Sequence, residues 1–561
     1  MNKLAEPNKR SSSVGWLLLL VALVVVFVLG LLAAGITEKR AEVASVFNNK
    51  KVDIGGAKPT YVLSTEANDK KKVTMPNTNI DSRNDQWGIN YQREFETWKK
   101  TRETDFKSKH LGNAPEDVLE SRPNMVILWA GYAFSRDYSA PRGHWYTLHD
   151  MRKSLRTGTP GIPDGVEMQP GTCWTCKSPD VPRMMQELGL GKYYSSKWSE
   201  LGPDVVNPLG CADCHDPKTM NLSLSRPALV EAFSRLTPRE VSKDHTNPTN
   251  PITNETLKRI GNDVTKAGAN DMRSLVCAQC HVEYYFAEGD NKYLTFPWDN
   301  GFSMEDMEKY YDNIGYADWT HALRKAPMLK AQHPDYELAM LGTHGKRGVS
   351  CADCHMPYKS EGGVKYTNHQ IMSPLKDIAG TCQTCHRDSE EKLRSYVYDN
   401  QDRVLEIRNR VEPELAKAHI MTKIALDNGV PVEELKPVHK LLREATWRWD
   451  YGVASHGAAF HAPVETARIL SAALDKSLLA QIELQKILVA RNVAVNLPDI
   501  STKAKAQAYI GLNMEKLVAG KAEFMKTVVP AWIKDAADKG KLTDPDLVNQ
   551  YNNYQYPEPT K

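Results

Sequence analysis

The chain has 561 residues, 25% of them charged, and a formal net charge of +3 at pH 7. A charge this small provides no large field of one sign, so we expect no nucleic-acid partner. The length allows about two to four ordinary domains and a core that needs no disulfide staples. The 10 cysteines of the chain therefore require a chemical explanation.

Residues 14–36 form an apolar segment without a charged residue. As a helix rising about 1.5 Å per residue it would span roughly 34 Å, enough to cross a hydrocarbon core of about 30 Å. Basic residues within 1–13 predict a cytoplasmic amino terminus and place the rest of the chain outside. We favour a transmembrane signal anchor. A cleaved signal peptide is the alternative, because small residues at 33–35 offer a cleavage site.

Residues 37–85 are rich in Lys, Asn and Thr, contain Gly55 and Gly56, and show no sustained hydrophobic period. Such a composition is typical of a linker. We expect this segment to hold the body of the protein off the membrane. The body is predicted to begin at residue 86, beside Trp87.

Five C-x-x-C segments within residues 86–390 contain every cysteine of the chain. Four of them continue as C-x-x-C-H, the pattern of c-type haem attachment, in which two thiols form thioether bonds and the histidine binds iron. The first segment, Cys-Trp-Thr-Cys-Lys, has Lys177 in place of that histidine. The attachment residues are Cys173, Cys176 and Lys177; Cys211, Cys214 and His215; Cys277, Cys280 and His281; Cys351, Cys354 and His355; and Cys382, Cys385 and His386.

Zinc is a weaker explanation of these segments, because each zinc ion would need two such pairs, or a pair with histidines, around it. Disulfide staples are weaker still, since neighbouring C-x-x-C cysteines form redox motifs. We therefore interpret residues 86–390 as a region that binds five haems.

The secondary structure is expected to change near residue 390. Before it, recurring Gly and Pro and the absence of a period of two predict short helices, loops and few strands. After it, residues 391–535 show apolar rows with helical spacing, which predict long amphipathic helices. The rows are Val397, Val404, Ile407 and Val411, and then Leu470, Leu474, Leu478 and Ile482 after Pro463. These helices would cover the haems, pair two subunits, or do both, and residues 536–561 are predicted to be a polar tail.

Lys177 suggests where chemistry takes place. An iron held by two histidines is six-coordinate and only passes electrons. A lysine has a usual pKa of about 10.4, so iron coordination must hold its amine neutral. Axial-ligand identity is the main control that a protein has over haem reactivity. The alternative is that Lys177 merely follows the cysteines and another residue binds the iron.

The motifs together resemble the pentahaem cytochrome c nitrite reductases, which form ammonium. The likeness spans about residues 87–530 and rests on Cys-Trp-Thr-Cys-Lys followed by four C-x-x-C-H motifs. Further matching segments are Ala140–His144, Leu155–Gly158, CAQCHVEYYF at 277–286, Met328–Asp335 and Phe460–Pro463. The resemblance implies a mainly α multihaem cytochrome c fold with few short strands and long carboxy-terminal helices. It also implies six-electron reduction of nitrite to ammonium.

The resemblance places Arg156, Tyr284 and His333 around the open face of the haem on Lys177. Each residue suits an anionic substrate that must take up protons. Arg156 offers a permanent charge with a planar fork of donors, His333 donates or relays protons near neutral pH, and Tyr284 adds a phenol.

The same resemblance assigns a calcium site and the distal haem ligands. Glu283 and Gln332 would bind calcium through side-chain oxygens, and Tyr284 and Lys330 through backbone carbonyls. The distal histidines would be His144 for the haem of Cys277 and Cys280, His369 for Cys211 and Cys214, His344 for Cys382 and Cys385, and His461 for Cys351 and Cys354. His149 and His456 are rival distal ligands, and His419 and His439 are expected to be packing or surface residues.

The implied protein carries five covalent haem c groups and calcium, forms a homodimer through its carboxy-terminal helices, and works on the periplasmic side of the cytoplasmic membrane. A donor cytochrome or a membrane quinol dehydrogenase would supply its electrons. Two other functions stay open from the residues: an electron conduit without a substrate, and a related multihaem oxidoreductase that acts on hydroxylamine or on another sulfur or nitrogen oxyanion.

Overall fold

The computed structural model describes residues 62–64, 72–74, 80–110, 112–236, 260–261, 263–287 and 293–552. These residues all belong to one folded unit. The predicted cytoplasmic end at 1–13 and the predicted anchor at 14–36 lie outside the described residues. Within the described ranges, no helix is both long enough and apolar enough to cross a membrane.

Short helices carry the chain as far as the last cysteine motif. Those that precede the third motif are α1 (Asn84–Gly88), α2 (Gln92–Lys99), α3 (Val118–Ser121), α4 (Asn124–Leu128), α5 (Thr147–Lys153), α6 (Asp180–Leu188), α7 (Leu190–Ser195), α8 (Trp198–Leu201), α9 (Cys211–Cys214) and α10 (Pro227–Arg235). They are followed by α11 (Ala269–Ala278), α12 (Met304–Asn313), α13 (Asp335–Leu341), α14 (Thr343–Lys346) and α15 (Cys351–His355).

Strands are few and occur as antiparallel pairs. The pairs are β1 (Val62–Ser64) with β2 (Lys72–Thr74), β3 (Tyr285–Phe286) with β4 (Leu294–Thr295), β5 (Trp319–Thr320) with β6 (Pro327–Met328), and β7 (Tyr358–Glu361) with β8 (Val364–Thr367). The first pair falls inside the predicted linker, where no strand was expected.

Long helices follow the last motif, as predicted. The long helices are α16 (Glu390–Asp427), α17 (Lys436–Ala454), α19 (Pro463–Val489) and α21 (Met514–Asp538). Three short helices accompany them: α18 (Ala458–His461), α20 (Lys503–Tyr509) and α22 (Pro545–Asn552). The Ser389 hydroxyl caps α16 by accepting from the Lys392 amide. The mainly helical fold with few short strands is therefore confirmed.

Two apolar cores hold these elements. One joins α16, α17 and α19 through side chains such as Leu415, Trp449 and Leu484. The other is rich in tryptophan and lies among the first three cysteine motifs, with Trp174 and Trp198 stacked at 4.5 Å between ring centres. Bulky aromatic side chains thus surround the motif that carries Lys177.

The structure shifts the amino-terminal boundary of the body. The predicted linker reaches residue 85, yet Ile80 is buried and the Ser82 hydroxyl donates to the Asp180 carboxylate at 2.5 Å. The Asn84 amide also donates to the Pro208 carbonyl at 2.9 Å. These buried polar contacts are made across the fold, so the composition of residues 80–85 does not reveal them.

The carboxy-terminal boundary also differs from the prediction. Within the predicted polar tail, residues 536–552 are folded, and Leu542, Leu547 and Tyr551 are buried. Leu547 and Tyr551 are spaced by one helical turn on α22 and reach the tryptophan-rich core. The polar residues between them conceal this short apolar face.

Candidate functional site

The cysteine motifs lie on short helical turns that lead into loops. Two of the motifs form α9 and α15, and each has an aspartate at its third helical position. The Asp213 carboxylate accepts from the Gly210 amide at 2.8 Å, and the Asp353 carboxylate from the Ser350 amide at 2.7 Å. This capping orders the turn that presents two thiols and a histidine. None of the ten cysteines, all of which lie in the described part of the chain, forms a disulfide.

Three predicted histidine pairs meet at a common distance. The ring centres lie 6.2 Å apart for His215 and His369, 6.1 Å for His344 and His386, and 6.2 Å for His355 and His461. A metal–imidazole bond is about 2.0 Å and the ring centre lies roughly 1.1 Å beyond the nitrogen, so two imidazoles on opposite sides of one iron should be about 6.2 Å apart. The pairs therefore fit bis-histidine haems.

The remaining motif histidine, His281 of the third motif, has two histidine neighbours. The ring centre of His333 lies 6.2 Å from that of His281. His144 is near as well, since burial and then the charges of His281 and Lys177 lower the pKa of His144 to about 4. Both His333 and the predicted His144 therefore lie near His281, and the His281–His333 ring distance matches that of the other three pairs.

The rival histidines make other contacts. His149 is buried, and its Nδ1 lies 3.1 Å from a guanidinium nitrogen of Arg142 and 3.3 Å from the Asp150 carboxylate. His456 stacks on Tyr138 with ring centres 6.4 Å apart. The structure thus gives His149 polar partners and His456 a packing partner.

Several motif histidines have one ring nitrogen already held. The Nδ1 atom lies 2.8 Å from the Met220 carbonyl for His215, 2.9 Å from the Met372 carbonyl for His355, and 3.2 Å from an Asp335 carboxylate oxygen for His281. A carbonyl or carboxylate at Nδ1 fixes the tautomer and leaves Nε2 for a metal.

A cavity of about 310 Å³ opens beside His355 and Cys354.

The loop of Lys177 is fixed through its backbone. The Lys177 amide donates to the Trp174 carbonyl at 2.9 Å, and its carbonyl accepts from the Thr147 hydroxyl at 3.0 Å. Trp174 is fully buried and donates through its indole to the Trp198 carbonyl. These hydrogen bonds hold the backbone at Lys177 in place.

One buried arginine joins the Lys177 loop to the second motif. The Arg226 guanidinium is 1% exposed and donates to the Thr175 carbonyl at 2.6 Å and the Ser178 carbonyl at 2.8 Å. It also forms an ion pair with Asp213 at 2.5 Å. Thr175 and Ser178 lie on either side of Lys177, so Arg226 fixes both ends of the ligand loop.

Gln279 adds the third motif to this network. Its side-chain oxygen accepts from the Ser225 amide at 2.6 Å and the Arg226 amide at 2.8 Å. Its side-chain nitrogen donates to the Asp213 carbonyl at 3.3 Å. Three separate motifs are thus held in one buried hydrogen-bond network.

Thiols of different motifs are also neighbours. Cys176 lies beside Cys280, and Cys277 lies beside Cys351. Groups attached to the first, third and fourth motifs would therefore lie next to one another.

The predicted substrate residues approach the first motif from several sides. Burial, and then the neighbouring Cys176 and Cys173, raise the pKa of Tyr284 well above its usual value, so the phenol stays protonated and can donate. Burial, and then the charge of Lys177, hold the pKa of His333 well below its usual value. Both residues thus lie within electrostatic reach of the Lys177 motif.

Arg156 is positioned by its own loop. The Ser154 hydroxyl accepts from the Arg156 amide at 3.3 Å and from its Nε at 3.0 Å. Gln169 donates to the Arg156 carbonyl at 3.4 Å and accepts from the Cys173 thiol at 2.9 Å. The guanidinium lies 4.4 Å from the ring centre of Phe134. Gln169 therefore joins the arginine loop to the first motif.

Acidic groups gather at the predicted calcium ligands. Glu283 is fully buried, and its carboxylate accepts from the Tyr311 hydroxyl at 3.0 Å and from the Gln332 amide at 2.6 Å. Burial raises the pKa of Glu283 well above its usual value. Both of its oxygens retain a lone pair for a cation.

Further acids surround Lys330 in the same region. Its amide donates to Asp318 at 2.7 Å, and its ammonium pairs with the buried Asp450 at 2.8 Å. Burial raises the pKa of Asp318 to about 7. Glu283, Asp318 and Asp450 thus lie close to Lys330, and a divalent cation would neutralise the excess of carboxyl groups. No set of three or more His, Cys, Asp or Glu side chains among the described residues forms a metal cage.

Sequence reasoning missed Arg226, Asp318, Asp450 and Gln169. Gln279 lies inside the third C-x-x-C motif, so the sequence already placed it near the site. Arg226 and Asp450 contact the site from segments distant in the chain, so no spacing indicates their role. Gln169 and Asp318 lie near their partners Cys173 and Lys330 in the chain, but neither belongs to a recognisable motif.

The helical fold and the paired histidines define a multihaem c-type cytochrome. Residues 83–541 match the family model described as cytochrome c552. The chain belongs to the cytochrome c552 family. Membership makes it an oxidoreductase with covalently bound haem c.

Relatives agree over nearly the full length. A cytochrome c-552 of Parabacteroides distasonis is 53% identical, covering 95% of this chain and 99% of the relative. One of Bacteroides thetaiotaomicron is 54% identical, with the same coverage of both chains. Among solved structures, the catalytic subunit of cytochrome c nitrite reductase from Desulfovibrio desulfuricans, which has two calcium sites, is 28% identical. It aligns with a TM-score of 0.63 over 79% of this chain and 94% of its own.

Proposed function

We propose that this protein reduces nitrite to ammonium by six electrons at a c-type haem held by Lys177. The main support is the lysine in the first of five attachment motifs, on a loop whose backbone is fixed on both sides by Arg226. Similarity to the nitrite reductase subunit of D. desulfuricans supports the substrate.

The remaining motifs are proposed to carry four bis-histidine haems that store and deliver electrons. His369, His344 and His461 have the spacing required of distal ligands. For His281 we retain His144 as the distal ligand, because His333 is assigned to the substrate face. The proximity of Cys176 to Cys280 and of Cys277 to Cys351 supports electron transfer between adjacent haems.

When bound, the haem on Lys177 supplies the redox chemistry and the position where nitrite binds. The chain supplies charge and protons around it. Arg156 attracts the anion and orients it. The protonated phenol of Tyr284 donates a hydrogen bond, and the His333 imidazole accepts and passes protons as N–O bonds break.

Calcium is proposed to bind Glu283, Gln332 and the carbonyls of Tyr284 and Lys330. Both Glu283 and Tyr284 belong to one stretch of backbone, so the cation would fix the Tyr284 phenol on the substrate face. It would also add positive potential beside an anionic substrate.

Export, anchoring and assembly are part of the proposal. The apolar segment 14–36 would anchor the protein to the cytoplasmic membrane, with the catalytic region on the periplasmic side. A donor cytochrome or a membrane quinol dehydrogenase would deliver electrons. Two subunits would pair through the long carboxy-terminal helices of residues 391–535, where Leu479 and Ile482 of α19 are half exposed.

Nitrite-dependent oxidation of a reduced viologen, with ammonium measured as the product, tests the activity of the purified holoenzyme. We expect Lys177→His to retain five haems and to lower nitrite turnover by about 100-fold or more, as loss of a ligand-tuning group does. The exposed Lys192 serves as a control, and Lys192→His should leave turnover unchanged. Unchanged turnover in Lys177→His would refute the special role of this haem.

A further inference from the structure

A buried lysine of helix α21 reaches the loop that carries Arg156. Lys521 is 0% exposed. Its ammonium donates to the Arg152 carbonyl at 3.1 Å and to the Thr157 hydroxyl at 3.0 Å, and it also donates to the Gly158 carbonyl. These acceptors precede and follow Arg156 in the chain. The Lys521 ammonium therefore holds the chain on both sides of Arg156 by hydrogen bonds.

The loop has little conformational freedom, so a constraint on its ends also holds the backbone of Arg156. Gly158 has a φ of 72°, and a Cβ built there would lie 2.0 Å from the Val166 carbonyl oxygen. The Thr159 amide donates to the same carbonyl at 2.9 Å. A turn with this geometry requires glycine and leaves little freedom to the residues before it. A shift of the Gly158 carbonyl would therefore displace the backbone of Arg156.

Lys521 carries a charged, hydrogen-bonding group that packing alone does not require. Its three acceptors are uncharged, and burial lowers its pKa to about 7 against the opposing charge of Asp137. Burying an ammonium costs desolvation free energy. Methionine would fill similar space without that cost but would donate no hydrogen bond. The fold thus retains a buried ammonium, despite its desolvation cost, at a position where it donates hydrogen bonds to the Arg156 loop.

We propose that Lys521 is a positioning residue for Arg156, through which helix α21 sets how the site binds an anionic substrate. The inference rests on the proposed function, because it takes Arg156 to contact nitrite. Arg156 acts mainly through its charge, so its displacement should weaken binding of an anion more than binding of an uncharged substrate. Nitrite is an anion, whereas hydroxylamine is largely uncharged at neutral pH.

Steady-state kinetics of the Lys521→Met holoenzyme with both substrates, driven by a reduced viologen, test the inference. We expect the KM for nitrite to rise about tenfold, as for loss of a group that orients a site residue. The KM for hydroxylamine and the haem spectrum should stay at the wild-type values. An equal change for both substrates would show a merely structural role and overturn the inference, as would no change for either.

Two further variants sharpen the test. Lys526 is an exposed lysine of the same helix, and Lys526→Met should leave both KM values unchanged. Thr157→Val removes one acceptor and should raise the KM for nitrite about threefold, the worth of one hydrogen bond. If Lys521→Met does not mature, Thr157→Val decides: an unchanged KM for nitrite overturns the inference.

The wild-type control separates the two hypotheses. A wild-type holoenzyme that does not reduce nitrite would refute the proposed function, and the inference with it. Wild-type nitrite reduction alongside an unchanged Lys521→Met would refute the inference alone.

Discussion

Arg226 shows how one side chain serves two motifs. It bonds the carbonyls on both sides of Lys177 and pairs with Asp213 of the second motif. A histidine of a C-x-x-C-H motif needs only to follow its cysteines. A lysine has a longer and more flexible side chain, so fixing the backbone beneath it limits where its amine can go.

Removal of the Arg226 charge should be costly. Arg226→Gln leaves the Asp213 carboxylate buried without its partner, which we expect to lower the free energy of unfolding by about 3–5 kcal/mol. The thermal midpoint of the holoprotein checks this. The double variant Arg226→Gln with Asp213→Asn should recover much of the loss, because no unpaired charge then remains.

The fourth motif offers a matched control. Arg273 pairs with Asp353 in the same motif position, but their side chains are 19% and 38% exposed, compared with 1% and 8% for Arg226 and Asp213. Water screens the outer pair, so Arg273→Gln should cost about 0–1 kcal/mol. Equal losses for the two arginine variants would contradict the account.

Calcium removal tests the acidic cluster around Glu283. We expect a calcium chelator to lower nitrite turnover about tenfold, because outer groups that orient a site commonly contribute this much. Added Ca²⁺ should restore activity. Added Mg²⁺ should not, because it demands stricter octahedral geometry. Turnover that is unaffected by exhaustive chelation would remove calcium from the site.

At the scale of elements, the sequence predicted the long helices α16 and α19 but not the surfaces against which they pack. The row predicted on α19 runs from Leu470, which is 1% exposed, to Ile482, which is 51% exposed. The period of the row indicates a helix. It does not distinguish a face that packs within the subunit from one that another subunit would cover.

The exposed apolar face of α19 formed by Leu479 and Ile482 should mediate the proposed dimer. Leu479→Glu combined with Ile482→Glu places two charges on that face, and we expect the protein to become monomeric in analytical ultracentrifugation. Val432 is also exposed and apolar but lies between α16 and α17, so Val432→Glu is the control that should stay dimeric. A dimer that survives the double substitution would place the interface elsewhere.

Across the whole molecule, the sequence predicted the motifs better than their surroundings. Spacing alone singled out the ten cysteines and the lysine as candidates, because haem attachment is a local pattern. The distal histidines required the family resemblance. Asp450 and Lys521 act from more than a hundred residues away, so only the fold brings them to the site.

The mass of the purified mature protein tests the cofactor count and the fate of the anchor together. We expect the mass of the full chain plus five covalently attached haems. A mass that lacks the amino-terminal segment would show cleavage of residues 14–36, and four or fewer haems in a fully loaded sample would contradict the assignment of the first motif.

Electron paramagnetic resonance of the oxidised holoenzyme, recorded before and after addition of nitrite, tests the central claim most directly. The account predicts a high-spin or exchange-coupled haem beside low-spin haems, and a change in that signal alone when nitrite is added. A spectrum that contains only low-spin, six-coordinate haems, unaltered by nitrite, would contradict it and leave a protein that only conducts electrons.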